Sequence, residues 1–96
     1  MFELMYTAYI LQSETSGRFY IGHTSDLPSR LLRHNAGMVT ATRNKGPWKV
    51  VYSEDFPTRA EANRRELEIK GKKSRKYIER LVANGGTGGH DSRLLS

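Results

Sequence analysis
Tyr6-Thr-Ala-Tyr-Ile-Leu-Gln12, a polar cluster Ser13-Glu-Thr-Ser-Gly17, then Phe19-Tyr-Ile-Gly-His-Thr24 form the stretch that decides the fold. Two short runs rich in aromatic and β-branched residues flank a turn-forming cluster, which is the signature of a β-hairpin. Pairing Gln12 with Gly17 predicts Tyr9 directly opposite Tyr20, and residues directly opposite share a face of the ladder. Behind the hairpin, Ser25 or Asp26 reads as an N-cap and Pro28 falls in the first turn of a helix, where its missing N–H costs nothing. On that helix Arg30 and His34 are four residues apart and share one side. Two hydroxyls, a guanidinium and an imidazole converging on one patch make a phosphate site.

Working outward, Tyr6, Ala8 and Ile10 alternate with Tyr9 and Leu11, so both faces of the first strand are apolar, as in a central strand. Gly22 lets another group approach the backbone closely. Leu27 and Leu31 are the buried positions of the first helix, with Leu32 at the margin and Gly37 as its stop. Residues Ala36 to Pro47 show no sustained period and read as a loop presenting Arg43 and Lys45; such loops are often functional. Trp48 to Phe56 alternates as a third strand, with Trp48, Val50 and Tyr52 on one face and Val51 on the other. Thr58-Arg-Ala-Glu61 is a capping box opening a helix that stops at Gly71. Ser74 caps a last helix with Tyr77, Ile78, Leu81 and Val82 on its apolar side. The expectation is an α+β fold, a small three-stranded antiparallel sheet with three helices packed on it.

At 96 residues the chain is sized for one domain. Residues 1–84 form it, and the glycine-rich 85–96, which include His90, read as a disordered tail. No cysteine is present, which excludes disulfides and thiolate metal sites. No secretory signal pattern and no membrane-length apolar run appear, so the expectation is a cytoplasmic protein with no membrane association. Sixteen Lys and Arg against ten acids, a net charge of +6, favour a polyanionic partner. The run Lys70-Gly-Lys72-Lys73-Ser-Arg75-Lys76 suits a nucleic-acid backbone rather than base edges. Lys72, Lys73, Arg75 and Lys76, with Arg43 and Lys45, are the candidate nucleic-acid contacts. Trp48 reads as core or boundary, with stacking on an unpaired base as the alternative, and His23 as a surface imidazole at a strand end.

Thr7-Ala8-Tyr9, then Tyr20-Ile21-Gly22, then Asp26 to Asn35, then Ala62 to Lys70 resemble in order the blocks of the GIY-YIG nuclease superfamily. The similarity is greatest to its small stand-alone bacterial members and spans Tyr6 to Val82. Thr7-Ala8 stands in place of Gly-Ile, and no counterpart of the family's late Asn is found. The resemblance implies a metal-dependent endonuclease acting on DNA, using Mg²⁺ or Mn²⁺, with Tyr9, Tyr20, Arg30, His34 and Glu66 catalytic and Glu66 the metal ligand. Arg30 would neutralise phosphate, since its planar fork matches two oxygens. Tyr20 would position or deprotonate water, Tyr9 would orient water or phosphate, and His34 would serve as base or phosphate ligand. From spacing alone, Glu66 also reads as the partner of Arg30 or Lys70 at the edge of its helix. His34 likewise reads as a helix C-terminal histidine favoured by the dipole. Two other readings stand beside the nuclease: a non-catalytic nucleic-acid-binding module and a basic scaffold for a protein partner. No obligate protein partner is implied.

Overall fold
The computed structural model describes residues 4–85; the tail read at 85–96 therefore lies outside the described residues except for Gly85, which ends the last helix instead of opening a tail. Three strands, β1 (Tyr6–Ser13), β2 (Phe19–Thr24) and β3 (Trp48–Phe56), form one antiparallel sheet in the order β2-β1-β3. β1 is central, as its two apolar faces require. Helix α1 (Leu27–Asn35) follows β2, and α2 (Arg59–Lys72) and α3 (Arg75–Gly85) follow β3. Side chains alternate along β1, and two cores result. Tyr9 and Leu11 pack with Trp48, Leu27 and Leu31 under α1. Ile10 packs with Ile21, Tyr52, Ile69 and Ile78 under α2 and α3.

The helix ends obey local chemistry. Asp26 caps α1 by accepting from the Ser29 amide at 3.2 Å. At the other end, Gly37 takes φ 77°, the Met38 amide donates to Arg33 O and the Gly37 amide to His34 O, a Schellman closure that only a left-handed residue completes. The Thr58 hydroxyl accepts from the Glu61 amide at 3.2 Å and donates to the Glu61 carboxylate at 3.0 Å. Ser74 caps α3 by accepting from the Tyr77 amide. Gly71, expected as the stop of α2, is helical; Lys73 takes the left-handed turn instead, at φ 50°.

Two further expectations are corrected. Tyr9 pairs with Gly22, and Tyr20 with Leu11, a register two residues from the one read in the sequence. The turn sets it: the Ser13 amide bonds Arg18 O, and the Ser13 hydroxyl accepts from the amides of Thr15 and Ser16. A slip of two keeps every side chain on its face, so the two phenols become diagonal neighbours instead of opposite ones. On β3 the simple alternation fails, because the register against β1 shifts between Ile10 and Leu11, which pair with Tyr52 and Val50. The extra residue, Val51, is a bulge, and it sends Tyr52 to the α2 face while Trp48 and Val50 stay under α1.

Candidate active site
β1 carries Tyr9, β2 carries Tyr20, and α1 carries Arg30 and His34; the α1 face of the sheet brings all four together. The Tyr9 and Tyr20 ring centres are 6.5 Å apart, and the His34 ring stands edge-on to both, at 6.0 and 5.0 Å. Tyr9 reaches this position by crossing Gly22: a Cβ there would stand 2.7 Å from the Tyr9 hydroxyl and 3.2 Å from the Tyr20 ring. The open backbone that the sequence pointed to is thus occupied by the phenol of Tyr9.

Tyr9 is 1% exposed, and burial pushes its pKa up, the Arg30 guanidinium offsetting only part of that effect. Its hydroxyl therefore keeps its proton near neutral pH. Conversely, contact with the Tyr9 hydroxyl, more than with Tyr20, holds the Arg30 guanidinium above its already high pKa. Arg30 is charged, yet its buried Nε has no hydrogen-bond partner among the described residues. A buried donor left open is costly unless something outside the chain completes it. Beside it lies a cavity of about 200 Å³ lined by Thr24, Ser25, Asp26, Ser29, Arg30 and Arg33.

His34 differs from expectation. Its ring is 2% exposed and both nitrogens are engaged, Nε2 with the Tyr9 hydroxyl at 3.0 Å and Nδ1 with the Thr42 hydroxyl at 2.8 Å. Burial, and then the Arg30 charge, lower its pKa to about 4, so it is neutral near pH 7. Both nitrogens are thus taken up within the chain, and the ring meets the site through its hydrogen bond to Tyr9 and its edge-on contact with Tyr20. Thr42 was not singled out in the sequence. It ends a single turn of 3₁₀ helix, Thr40–Thr42, inside the stretch read as a loop. Its carbonyl accepts the Trp48 indole N–H at 3.2 Å, and Asn35 clasps the Trp48 backbone through both its amide atoms. Trp48 is core, 5% exposed.

Glu66 stands on α2, on the helix layer across the sheet from α1, beside the edge strand β2. Its carboxylate is 13% exposed and bonds His23 Nδ1 at 2.7 Å and Lys70 Nζ at 2.5 Å. Burial pushes its pKa up, but Lys70 and His23 outweigh that and hold it below the usual carboxylate value. Its charge reaches Tyr9, as the weakest of the influences on that phenol. His23, read as a surface imidazole, is instead half-buried and is a partner of Glu66. Among the described residues no group of three or more His, Cys, Asp or Glu is placed to hold a metal ion. A cation at Glu66 would therefore need water and substrate oxygens for its remaining ligands, a set that suits a hard, Mg²⁺-type ion.

The candidate nucleic-acid contacts Arg43, Lys45, Lys72, Lys73, Arg75 and Lys76 are all exposed. Several also have work within the fold. Arg43 Nε donates to Gly37 O at 2.9 Å. Arg75 lies over the Phe19 ring and bonds Glu79, and Lys72 lies over Tyr77.

A three-stranded antiparallel sheet between one helix and two, with paired phenols, an arginine and a histidine on the one-helix side, defines a small α+β domain of the GIY-YIG type. Residues 5–78 match the family described as the GIY-YIG catalytic domain, and the chain belongs to that family. Among its relatives, UPF0213 protein BH0048 of Halalkalibacterium halodurans is 35% identical over 79 residues, covering 81% of this chain and 83% of the relative. A UPF0213 protein of Streptococcus pneumoniae is 36% identical over 89 residues, covering 92% and 84%. The solution NMR structure of the BH0048 protein, its source given as Bacillus halodurans, superposes with a TM-score of 0.55 at 34% identity over 93% of each chain. No helix among the described residues is long and apolar enough to cross a membrane.

Proposed function
We propose that the chain is a divalent-metal-dependent endonuclease that hydrolyses phosphodiester bonds in DNA and selects substrates by structure rather than sequence. The observation that carries this reading is the charged Arg30, its Nε open and a cavity of about 200 Å³ beside it. A phosphodiester in that cavity supplies negative charge to the guanidinium and acceptor oxygens for N–H groups that reach it. Tyr9, its oxygen against Arg30, orients the guanidinium; Tyr20, the less enclosed phenol, positions the attacking water. Glu66 is the residue that would hold the cation, which supplies Lewis-acid polarisation of the phosphoryl group when bound. Exposed Lys and Arg on α2, α3 and the 36–47 loop contact phosphates, which positions a strand without reading its bases.

A second reading, a binding module without cleavage, is favoured by two observations, the first being that Glu66 stands in the α2 layer, across the sheet from the face that gathers Arg30 and the phenols. The second is that both Glu66 oxygens are already engaged, by His23 and by Lys70. A panel of duplex, flap, fork, single-stranded DNA and RNA incubated with Mg²⁺ or Mn²⁺ separates the two readings, with Glu66→Ala run in parallel. The nuclease reading expects metal-dependent cutting of at least one branched DNA, lost in Glu66→Ala. Intact substrates throughout, with gel shifts that weaken as salt rises, would establish the binding module instead.

A further inference from the structure
The buried hydrogen bonds behind Tyr9 have a direction, and it begins at Thr42. This residue is 1% exposed, and its hydroxyl donates to the Val39 carbonyl at 3.4 Å. With the hydroxyl proton on Val39 O, the Thr42 oxygen facing His34 Nδ1 at 2.8 Å is an acceptor. The Arg30 guanidinium against the Tyr9 oxygen favours the same arrangement, because its donors need an acceptor there. The imidazole proton then sits on Nδ1, because a neutral histidine carries one N–H and the other nitrogen is bare. Nε2 is left as the acceptor 3.0 Å from the Tyr9 hydroxyl, and the Tyr9 proton points at His34. What Tyr9 presents to Arg30 is therefore lone pairs alone. With the opposite tautomer the polarity reverses: Nε2–H would occupy a Tyr9 lone pair and the phenolic proton would turn toward the guanidinium, a donor set against donors.

We propose that Thr42 is a positioning residue for the reaction, whose hydroxyl fixes the His34 tautomer and through it keeps the Tyr9 oxygen an acceptor toward Arg30. The proposal rests on the nuclease reading for its catalytic part. Its structural part, the position of one proton, is independent of any activity. Thr42 touches neither substrate nor reacting atoms. Its influence passes through two side chains, and its backbone contacts to Trp48 and Lys45 do not involve the hydroxyl.

Thr42→Val keeps the shape and removes the acceptor, while Thr42→Ser keeps the hydroxyl. Nitrogen-15 NMR of the histidine rings in the full chain at neutral pH, with His34→Gln used to assign the signal, reports the tautomer directly. The wild type and Thr42→Ser are expected to show His34 protonated on Nδ1, and Thr42→Val to shift it toward Nε2. With the DNA substrate found in the cleavage panel, Thr42→Val is expected to lower kcat about 10- to 100-fold with KM within about twofold, the scale on which a small misplacement of a positioned group acts. Thr42→Ser is expected to stay within about threefold of wild type. A wild-type His34 protonated on Nε2, or a folded Thr42→Val with unchanged kcat, would overturn the proposal. If the wild type cleaves nothing, the catalytic part falls with the nuclease reading, and the NMR result alone still decides whether Thr42 sets the tautomer.

Discussion

Two arginines on opposite faces of the same sheet are partly buried, and they live in different chemical worlds. On the α2 side, Arg65 gives Nε to Glu54 at 3.1 Å and Nη1 to Glu68 at 2.9 Å, with the Tyr77 hydroxyl at 3.4 Å. Tyr52 completes the cluster by donating to Glu54, and the side-chain contacts around Arg65 outweigh burial and raise its pKa. On the α1 side, Arg30 meets phenols in place of carboxylates and keeps an open Nε. The first arrangement is closed within the chain; the second leaves one donor without a partner among the described residues. Burial with compensation is architecture; a guanidinium with an unpartnered Nε on a residue that lines a cavity is the less settled arrangement.

The largest effects that would break this contrast lie at the two arginines themselves. Arg30→Ala is expected to reduce cleavage about 100- to 1000-fold, the scale seen when one donor to a developing oxyanion is lost. Its thermal unfolding should stay close to wild type. Arg65→Ala should do the reverse, lowering stability by about 2 kcal/mol in denaturant titrations, because it strands Glu54 in a half-buried site.

Acid sharpens the contrast next. His34 has its folded pKa lowered to about 4 from the ordinary imidazole value of 6.5, by burial and then by the Arg30 charge. The unfolded chain thus binds the proton first as pH falls. Stability from this group is complete above about pH 6.5 and drains away between there and about pH 4, by on the order of 3 kcal/mol. Glu66, also depressed, adds a loss in the same direction at lower pH, below the usual carboxylate range. Unfolding curves recorded across this window should show the slope, and His34→Gln should flatten it between pH 6.5 and 4. A smaller effect is expected at Gly22→Ala. The added Cβ meets the Tyr9 hydroxyl at 2.7 Å, so the phenol must move, at a cost of about 1–2 kcal/mol. Cleavage should fall further than that stability loss explains.

The elements themselves were legible in the sequence because their signals are local. Asp26, Thr58 and Ser74 cap the helices they were read to open, and Tyr9, Tyr20, Arg30 and His34 share a face because strand and helix periods put them there. What the sequence hid came from long-range or single-atom effects. The hairpin register hangs on the Ser13 hydroxyl taking two turn amides, a detail no periodicity encodes. The bulge at Val51 moves Tyr52 across the sheet, since one inserted residue inverts a period of two. His23 meets Glu66 across 43 residues, and Thr42 meets His34 only because a loop folds back as a 3₁₀ turn. The pattern of hydroxyl residues in Thr40-Ala-Thr42, so close to a helix carrying a histidine, was the one available hint.

The most direct test is a single-turnover cleavage assay on flap and fork DNA with saturating Mg²⁺ or Mn²⁺, comparing wild type, Arg30→Ala and Arg65→Ala at a temperature where all three are folded. An open guanidinium on the α1 face that seats the scissile phosphate requires wild type and Arg65→Ala to cut within a few-fold of each other and Arg30→Ala to be silent. Equal rates for wild type and Arg30→Ala, or no cutting by wild type, would contradict it.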